Sequence, residues 1–235
     1  MKILKRILIA IPIIFFGSTI VATLILKWMP VYVSPLMIIR CVEQHSDHRP
    51  LKLKHHWIPY DSISPELPIA VMASEDQLFP KHNGFDKKAI IEAADEYIKG
   101  KRRRGGSTIS QQTAKNVFLW PRSTWTRKAL EAYFTVLIEC FWSKERIMEV
   151  YLNIIEMGNG IYGAEVVARE NFNTNARQLN KRQCALIAAT LPNPLKFDSK
   201  NPSPYMRKRQ RKILKEMNYI SHVYNGKLCS DNNEK

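Results

Sequence analysis

Glycine is scarce in this sequence, nine in 235 residues, and with 13 prolines and no internal repeat this excludes collagen-like and low-complexity chains. Cysteine is also sparse. The four, at positions 41, 140, 184 and 229, form no CxxC pair and no zinc spacing, and they do not fix a redox compartment. Cys140 and Cys184 stand in apolar, helix-patterned stretches, where buried thiols are expected. Period-2 alternation is almost missing, so a β-rich fold is not expected. Negative charge is short as well: 21 acidic against 36 basic residues leave +15, which calls for an acidic partner. What is present is core material. Hydrophobic residues make up 45%, with five Trp, nine Tyr and nine Phe, which excludes a disordered basic chain. The length fits one domain with a small appendage.

The run from Ile7 to Leu26 is twenty residues without a charge, bounded by Lys2, Lys5 and Arg6 before it and Lys27 after it. At about 1.5 Å per helical residue it spans roughly 30 Å, the thickness of a bilayer's hydrocarbon core. A cleaved signal peptide would have a shorter apolar region and a small-x-small cleavage site. Lys27, Trp28, Met29 and Pro30 follow instead, so an uncleaved membrane anchor is the stronger reading. The basic N-terminus then stays cytoplasmic and the rest of the chain lies outside the cytoplasm.

The positive charge divides as +4 over residues 1–27, +5 over 28–195 and +6 over 196–235. Two clusters stand out: Lys99 with Lys101, Arg102, Arg103 and Arg104, and the run Arg207, Lys208, Arg209, Arg211, Lys212 and Lys215. Each reads as a solvated face, or as a surface for anionic headgroups or a pyrophosphate. Nucleic acid ranks last because the anchor points these residues away from the cytoplasm.

Six prolines between Pro30 and Pro68 predict an extended linker into the domain. Ile90, Ile91, Ala94, Tyr97 and Ile98 trace a helical face that Gly100 would end. Thr108 and Gln111 have the form of a capping box for a helix over 109–118. Leu130, Tyr133, Phe134, Leu137, Ile138 and Phe141 give the strongest apolar stripe, predicting a central core helix. Ser143 caps a helix bearing Ile147, Val150, Tyr151 and Ile154, Asn180 and Gln183 cap another, and Ser203-Pro204 opens a last basic helix toward Met217. The tail from about Ser221 reads as flexible. The expected organisation is a basic N-terminus over 1–6, an anchor over 7–26, a membrane-proximal linker over 27–56, a mainly α-helical domain over 57–220 and a tail over 221–235.

Three groups of residues carry chemistry. Glu75, Asp76, Phe79, His82, Gly84, Phe85 and Asp86 place acids, an imidazole, aromatics and a glycine within twelve residues, a mixture that suits a cleft. A carboxylate there can act as general base or acid toward a sugar hydroxyl. His82 reads as a hydrogen-bonding residue, since no second His or Cys stands at metal spacing. The second group runs from Gly105 and Gly106 through Ser107, Thr108, Ser110, Gln111, Gln112, Lys115 and Asn116. Exposed backbone N–H groups, hydroxyls, amides and a lysine fit anion binding, and they equally fit a plain helix cap. The third group is Arg122, Arg127, Lys128 and Glu131. Arg127 and Glu131 fit a surface ion pair at i, i+4, or a phosphate grip with Glu131 holding a cation; spacing alone does not choose.

In order and spacing these groups resemble the signature of the peptidoglycan glycosyltransferase family, membrane-bound transglycosylases with a lysozyme-like fold. The resemblance continues through KERIMEVYLN (144–153), EMGNGIYGAE (156–165) and ALIAATLPNP (185–194), and covers roughly residues 57–195. One anchor without a downstream transpeptidase domain resembles the monofunctional biosynthetic form. Ser110 and Thr113 replace the family's usual Thr and Leu, and the arginine of WPRSTW stands one residue from its place in close relatives.

The resemblance implies a mainly α fold, with a single transmembrane helix and a lysozyme-like glycosyltransferase domain on the periplasmic side of the inner membrane. It implies catalytic roles for Glu75, as the base that deprotonates the GlcNAc 4-hydroxyl of lipid II, and for Glu131, ascribed to donor positioning or metal contact. Lys115, Arg122 and Arg127 would stabilise the departing undecaprenyl pyrophosphate, and Lys128 joins them as a substrate-binding residue. Asp76, Phe79, His82, Gly84, Ser107, Thr108, Gln111, Gln112 and Asn116 fall on substrate-binding positions. No cofactor is obligatory, and a divalent cation, Mg2+ or Mn2+, is the one candidate addition. The expected partners are lipid II, the growing glycan and the phospholipid bilayer, with transpeptidases or division proteins as candidate protein partners and no nucleic acid. The competing readings are a lysozyme-type lytic enzyme, for which a pyrophosphate grip is superfluous, and a non-enzymatic membrane-anchored cell-wall scaffold.

Overall fold

A computed structural model describes residues 2–87, 91, 95 and 106–224. The predicted helical face from Ile90 to Ile98, the Lys99 to Arg104 basic cluster, Gly105 and Cys229 lie outside the described residues, apart from Ile91. Among those described, the elements are α1 (Lys2–Leu26), α2 (Pro35–Ser46), β1 (Lys54–His55), α3 (Glu66–Glu75), α4 (Ile109–Phe118), α5 (Trp125–Phe141), α6 (Lys144–Ile154), β2 (Glu156–Gly158), β3 (Ile161–Tyr162), α7 (Ala164–Phe172), α8 (Lys181–Thr190) and α9 (Pro204–Tyr224). The fold is mainly α-helical, as expected.

Local signals start most of these helices. Thr108 and Gln111 form a complete capping box on α4, and Asn180 and Gln183 form another on α8. Ser143 accepts from the Arg146 N–H to open α6, and Thr124 accepts from the Arg127 N–H to open α5. Pro204 opens α9, which runs on to Tyr224, past the expected fraying at Ser221.

The extended linker expected over 30–68 is corrected by α2. Ser34 accepts from the Met37 N–H and Pro35 sits in the first turn, where its missing N–H costs nothing, so proline starts this helix instead of preventing it. Met37 is buried, and Arg40 Nε reaches Glu156 Oε2 at 3.4 Å, tying α2 to the sheet. That sheet, also unforeseen, has the order β1-β3-β2, with β1 parallel and β2 antiparallel to β3. Strands of two or three residues are too short to display alternation.

Two helical groups share one core. α3, α8 and α9 pack on one another, and α4 packs on α5 and α6. From Leu67 to Ala73 every residue of α3 is buried, so this helix is apolar all round and needs walls on every side. At its C-terminal end, beside α4, the polar residues begin.

α1 is the one helix among the described residues long and apolar enough to cross a membrane. Its C-terminal half docks on the domain. Thr19 Oγ1 and Tyr133 OH are 2.7 Å apart, Phe15 and Phe16 flank the Tyr133 ring, and Trp142 Nε1 donates to the Thr23 carbonyl at 2.8 Å. The α5 stripe is therefore shared: Phe134 and Ile138 enter the core, whereas Tyr133 meets α1. Cys184 is fully buried, and burial pushes its thiol up to about 12. Cys140 is exposed, contrary to expectation, because it lies off the core-facing stripe.

Candidate active site

Glu75 is the last residue of α3, and its carboxylate is held by three donors. Ser74 Oγ donates to Oε1 at 2.8 Å, Gln112 Nε2 donates to Oε2 at 3.3 Å, and Arg209 Nη2 lies 3.5 Å from Oε1. The side chain keeps 16% of its surface exposed, enough to meet a substrate from the cleft.

The next residue, Asp76, is buried and turns inward. Its carboxylate accepts from His82 Nε2 at 3.0 Å and from the Ile109 N–H at 2.9 Å. That N–H belongs to the first turn of α4, where four N–H groups lack helical partners and the dipole favours an anion. His82 accepts at Nδ1 from the Gly84 N–H at 3.1 Å, which leaves the proton on Nε2 for Asp76. Thr108 Oγ1 donates to the Gly84 carbonyl at 2.6 Å. Asp76, His82, Gly84, Thr108 and Gln111 therefore form a brace that fixes the start of α4 against the end of α3. Phe79 is wholly buried, under the ammonium of Lys144 at 4.7 Å and edge-on to His82, and supports the brace from inside the core.

On α4, Gln112, Lys115 and Asn116 share a face by their i, i+3 and i+4 spacing. Lys115 is half-buried, and among the described residues its ammonium has no hydrogen-bond or ion-pair partner. Burial lowers its pKa, the nearby Arg127 and Lys128 lower it further, and Glu131 works in the opposite direction. The buried Asn116 Nδ2 also lacks a partner among the described residues.

The opening turns of α5 supply the remaining charges. Arg127 Nη1 meets Glu131 Oε2 at 2.5 Å, and Lys128 Nζ pairs with the other oxygen while lying 3.5 Å from Ser107 Oγ. Arg127 and Glu131 are both buried, so this is no ordinary surface pair. Three cations against one carboxylate leave a local excess of positive charge. Arg122 is exposed on the loop before α5, and the structure does not bring it into this cluster.

Among the described residues no group of three His, Cys, Asp or Glu side chains is placed to hold a metal ion. Three residues at the site escaped the sequence reading: Ser74, Tyr151 and Arg209. Arg209 was one of six cations in a run read as surface, and Tyr151 was one position in an apolar stripe.

The site joins a positioned carboxylate to a cluster with more cations than carboxylates, on a helical domain that follows a helix long and apolar enough to cross a membrane. Comparison with known proteins gives the chain a family. The family model described as Transglycosylase matches residues 44–218. Curated relatives described as biosynthetic peptidoglycan transglycosylase include one from Bacteroides thetaiotaomicron, 61% identical over 208 residues, covering 88% of this chain and 84% of that protein. One from Caulobacter vibrioides is 48% identical and covers 91% of both chains. One from Bdellovibrio bacteriovorus is 47% identical over 90% of this chain and 84% of its own length. The chain belongs to the transglycosylase family.

Proposed function

We propose that this protein is a peptidoglycan glycosyltransferase that polymerises lipid II into glycan strands. The observation that carries this reading is the pairing of Glu75 with the Lys115 cluster through one helix face: Gln112 touches the carboxylate, and Lys115 follows three residues later. Neighbours at that spacing stand about 5–6 Å apart at their β-carbons, so base and anion site adjoin.

In this reading Glu75 takes the proton from the GlcNAc 4-hydroxyl of the acceptor. The freed oxygen attacks the anomeric carbon of the donor sugar, and the bond from that carbon to the pyrophosphate breaks with inversion. The bonding electron pair leaves on undecaprenyl pyrophosphate, whose growing charge Lys115, Arg127 and Lys128 stabilise. A glycan hydrolase needs no such cluster, which favours transfer over lysis.

The reading requires no cofactor. Each oxygen of Glu131 already faces a cationic nitrogen, and among the described residues no group of three His, Cys, Asp or Glu side chains stands there to hold a divalent cation. In this reading the apolar helix α1 anchors the protein in the cytoplasmic membrane, the basic N-terminus supports a domain on the periplasmic side, and transpeptidases or division proteins are candidate partners there. The test is purified full-length protein in detergent with labelled lipid II, wild type against Glu75→Gln. Loss of both polymer and released undecaprenyl pyrophosphate, in a variant that folds normally, is the expected result. Retained polymerisation overturns the assignment of the base.

A further inference from the structure

Glu75 is gripped separately on each oxygen, and each grip leads back to a side chain that does not face the cleft as a reactant. On Oε2 the donor is Gln112 Nε2, and the same amide accepts at Oε1 from Tyr151 OH at 3.2 Å. Tyr151 is fully buried on α6, and burial, reinforced by the Glu75 and Asp76 charges, raises its pKa well above the usual phenol value. Its hydroxyl therefore keeps its proton and remains a donor. An amide oxygen facing the carboxylate would be repelled, so a donor at Oε1 selects the orientation that turns the NH2 group toward Glu75.

On Oε1 the grip is Ser74 Oγ, which donates at 2.8 Å and accepts from Arg209 Nη2 at 2.9 Å. Arg209 also lies 3.5 Å from Oε1 directly. It reaches the site from α9, a helix otherwise distant in sequence from every catalytic candidate.

Building on the assignment of Glu75 as base, we propose that Tyr151 and Arg209 are positioning residues for it. Tyr151 locks the Gln112 amide, and Arg209 locks the Ser74 hydroxyl. Together they fix the direction in which the carboxylate is presented. Neither residue touches the substrate in this scheme. Each acts through the direction of Glu75.

A merely structural role would lower activity only in step with thermal stability, so the split of kcat from KM in variants that fold normally is the diagnostic readout. The experiment follows lipid II polymerisation by the full-length protein in detergent over a range of lipid II concentrations. It compares wild type, Glu75→Gln, Tyr151→Phe, Arg209→Ala and Arg209→Lys, with thermal unfolding recorded for each. Tyr151→Phe and Arg209→Ala should each lower kcat by about 10-fold or more with KM little changed, because a misdirected base is felt in the transition state. Arg209→Lys, which keeps a donor for the Ser74 hydroxyl, should restore part of that loss. A wild-type kcat in both Tyr151→Phe and Arg209→Ala, or a loss that only tracks the unfolding temperature, with Glu75→Gln inactive, overturns the positioning proposal and leaves the base standing. An active Glu75→Gln overturns the base assignment and this proposal with it.

Discussion

Arg127 Nη1 and Glu131 Oε2 lie 2.5 Å apart at the start of α5, and both side chains are buried. A buried pair contributes little net stability, but breaking one is costly because the remaining charge is left without compensation. Glu131 also faces Lys128 and raises the proton affinity of Lys115, so it is the common counter-charge of three cations.

Replacing Glu131 by Gln should therefore act in two ways. The folded state should lose about 3–5 kcal/mol, read from thermal unfolding in detergent. The pKa of Lys115 should fall further, so the alkaline limb of kcat/KM should move to lower pH. An alkaline limb at its wild-type position would contradict the role of Glu131 as the charge that keeps Lys115 protonated.

Lys115 itself is placed at a cost to stability. Its folded-state pKa lies below the ordinary lysine value, so the charged form is less favoured in the folded chain than in the unfolded one. Below the folded pKa this penalty is fully present, and it diminishes as pH climbs from there toward the unfolded value. Lys115→Met should consequently unfold at the same temperature as wild type or higher near neutral pH, while lipid II polymerisation falls by about 100-fold or more. A variant that is both less stable and fully active would reverse both expectations.

Gly84 has φ +85, and a β-carbon there would stand 2.7 Å from Thr135 Cγ2 and 3.0 Å from Glu139 Cγ. Strain and overlap act together at this position, and its carbonyl and N–H bind Thr108 and His82. Gly84→Ala should cost about 2–4 kcal/mol of stability and lower activity as well, because the brace that sets α4 against Glu75 shifts. Unchanged thermal unfolding would show that the brace yields without loss.

The features legible in the sequence are those encoded by neighbours along the chain. The Thr108 and Gln111 box fixed where α4 begins, and the spacing of Gln112, Lys115 and Asn116 put them on one face. Ser34 and Pro35 carried an equally local signal for α2, but the surrounding prolines obscured it. Arg209 was not legible for a different reason. It meets Ser74 across 135 positions of sequence, and nothing local distinguishes it from Arg207 or Lys208. β1 pairs with β3 across 107 positions, and β2 pairs with β3 locally, in lengths too short for a pattern.

Arg146 links α1 to the helical domain. Arg146, on α6, donates from Nη2 to the carbonyls of Leu26 at 2.8 Å and Met29 at 2.5 Å, and pairs through Nη1 with Glu149 at 2.6 Å. Its guanidinium also lies 5.2 Å from the Trp57 ring centroid. Leu26 is the last residue of α1 and Met29 lies in the turn after it, where carbonyls run out of helical donors, so Arg146 satisfies the end of this apolar helix from within the domain. Lysine keeps the charge but not the planar fork that reaches two carbonyls and a carboxylate together. Arg146→Ala should cost about 2 kcal/mol, or about 4–8 °C in Tm for a chain of this size, and Arg146→Lys should recover only part of it. Equal unfolding temperatures for wild type and Arg146→Ala would mean that the domain holds its anchor through Tyr133 and Trp142 alone.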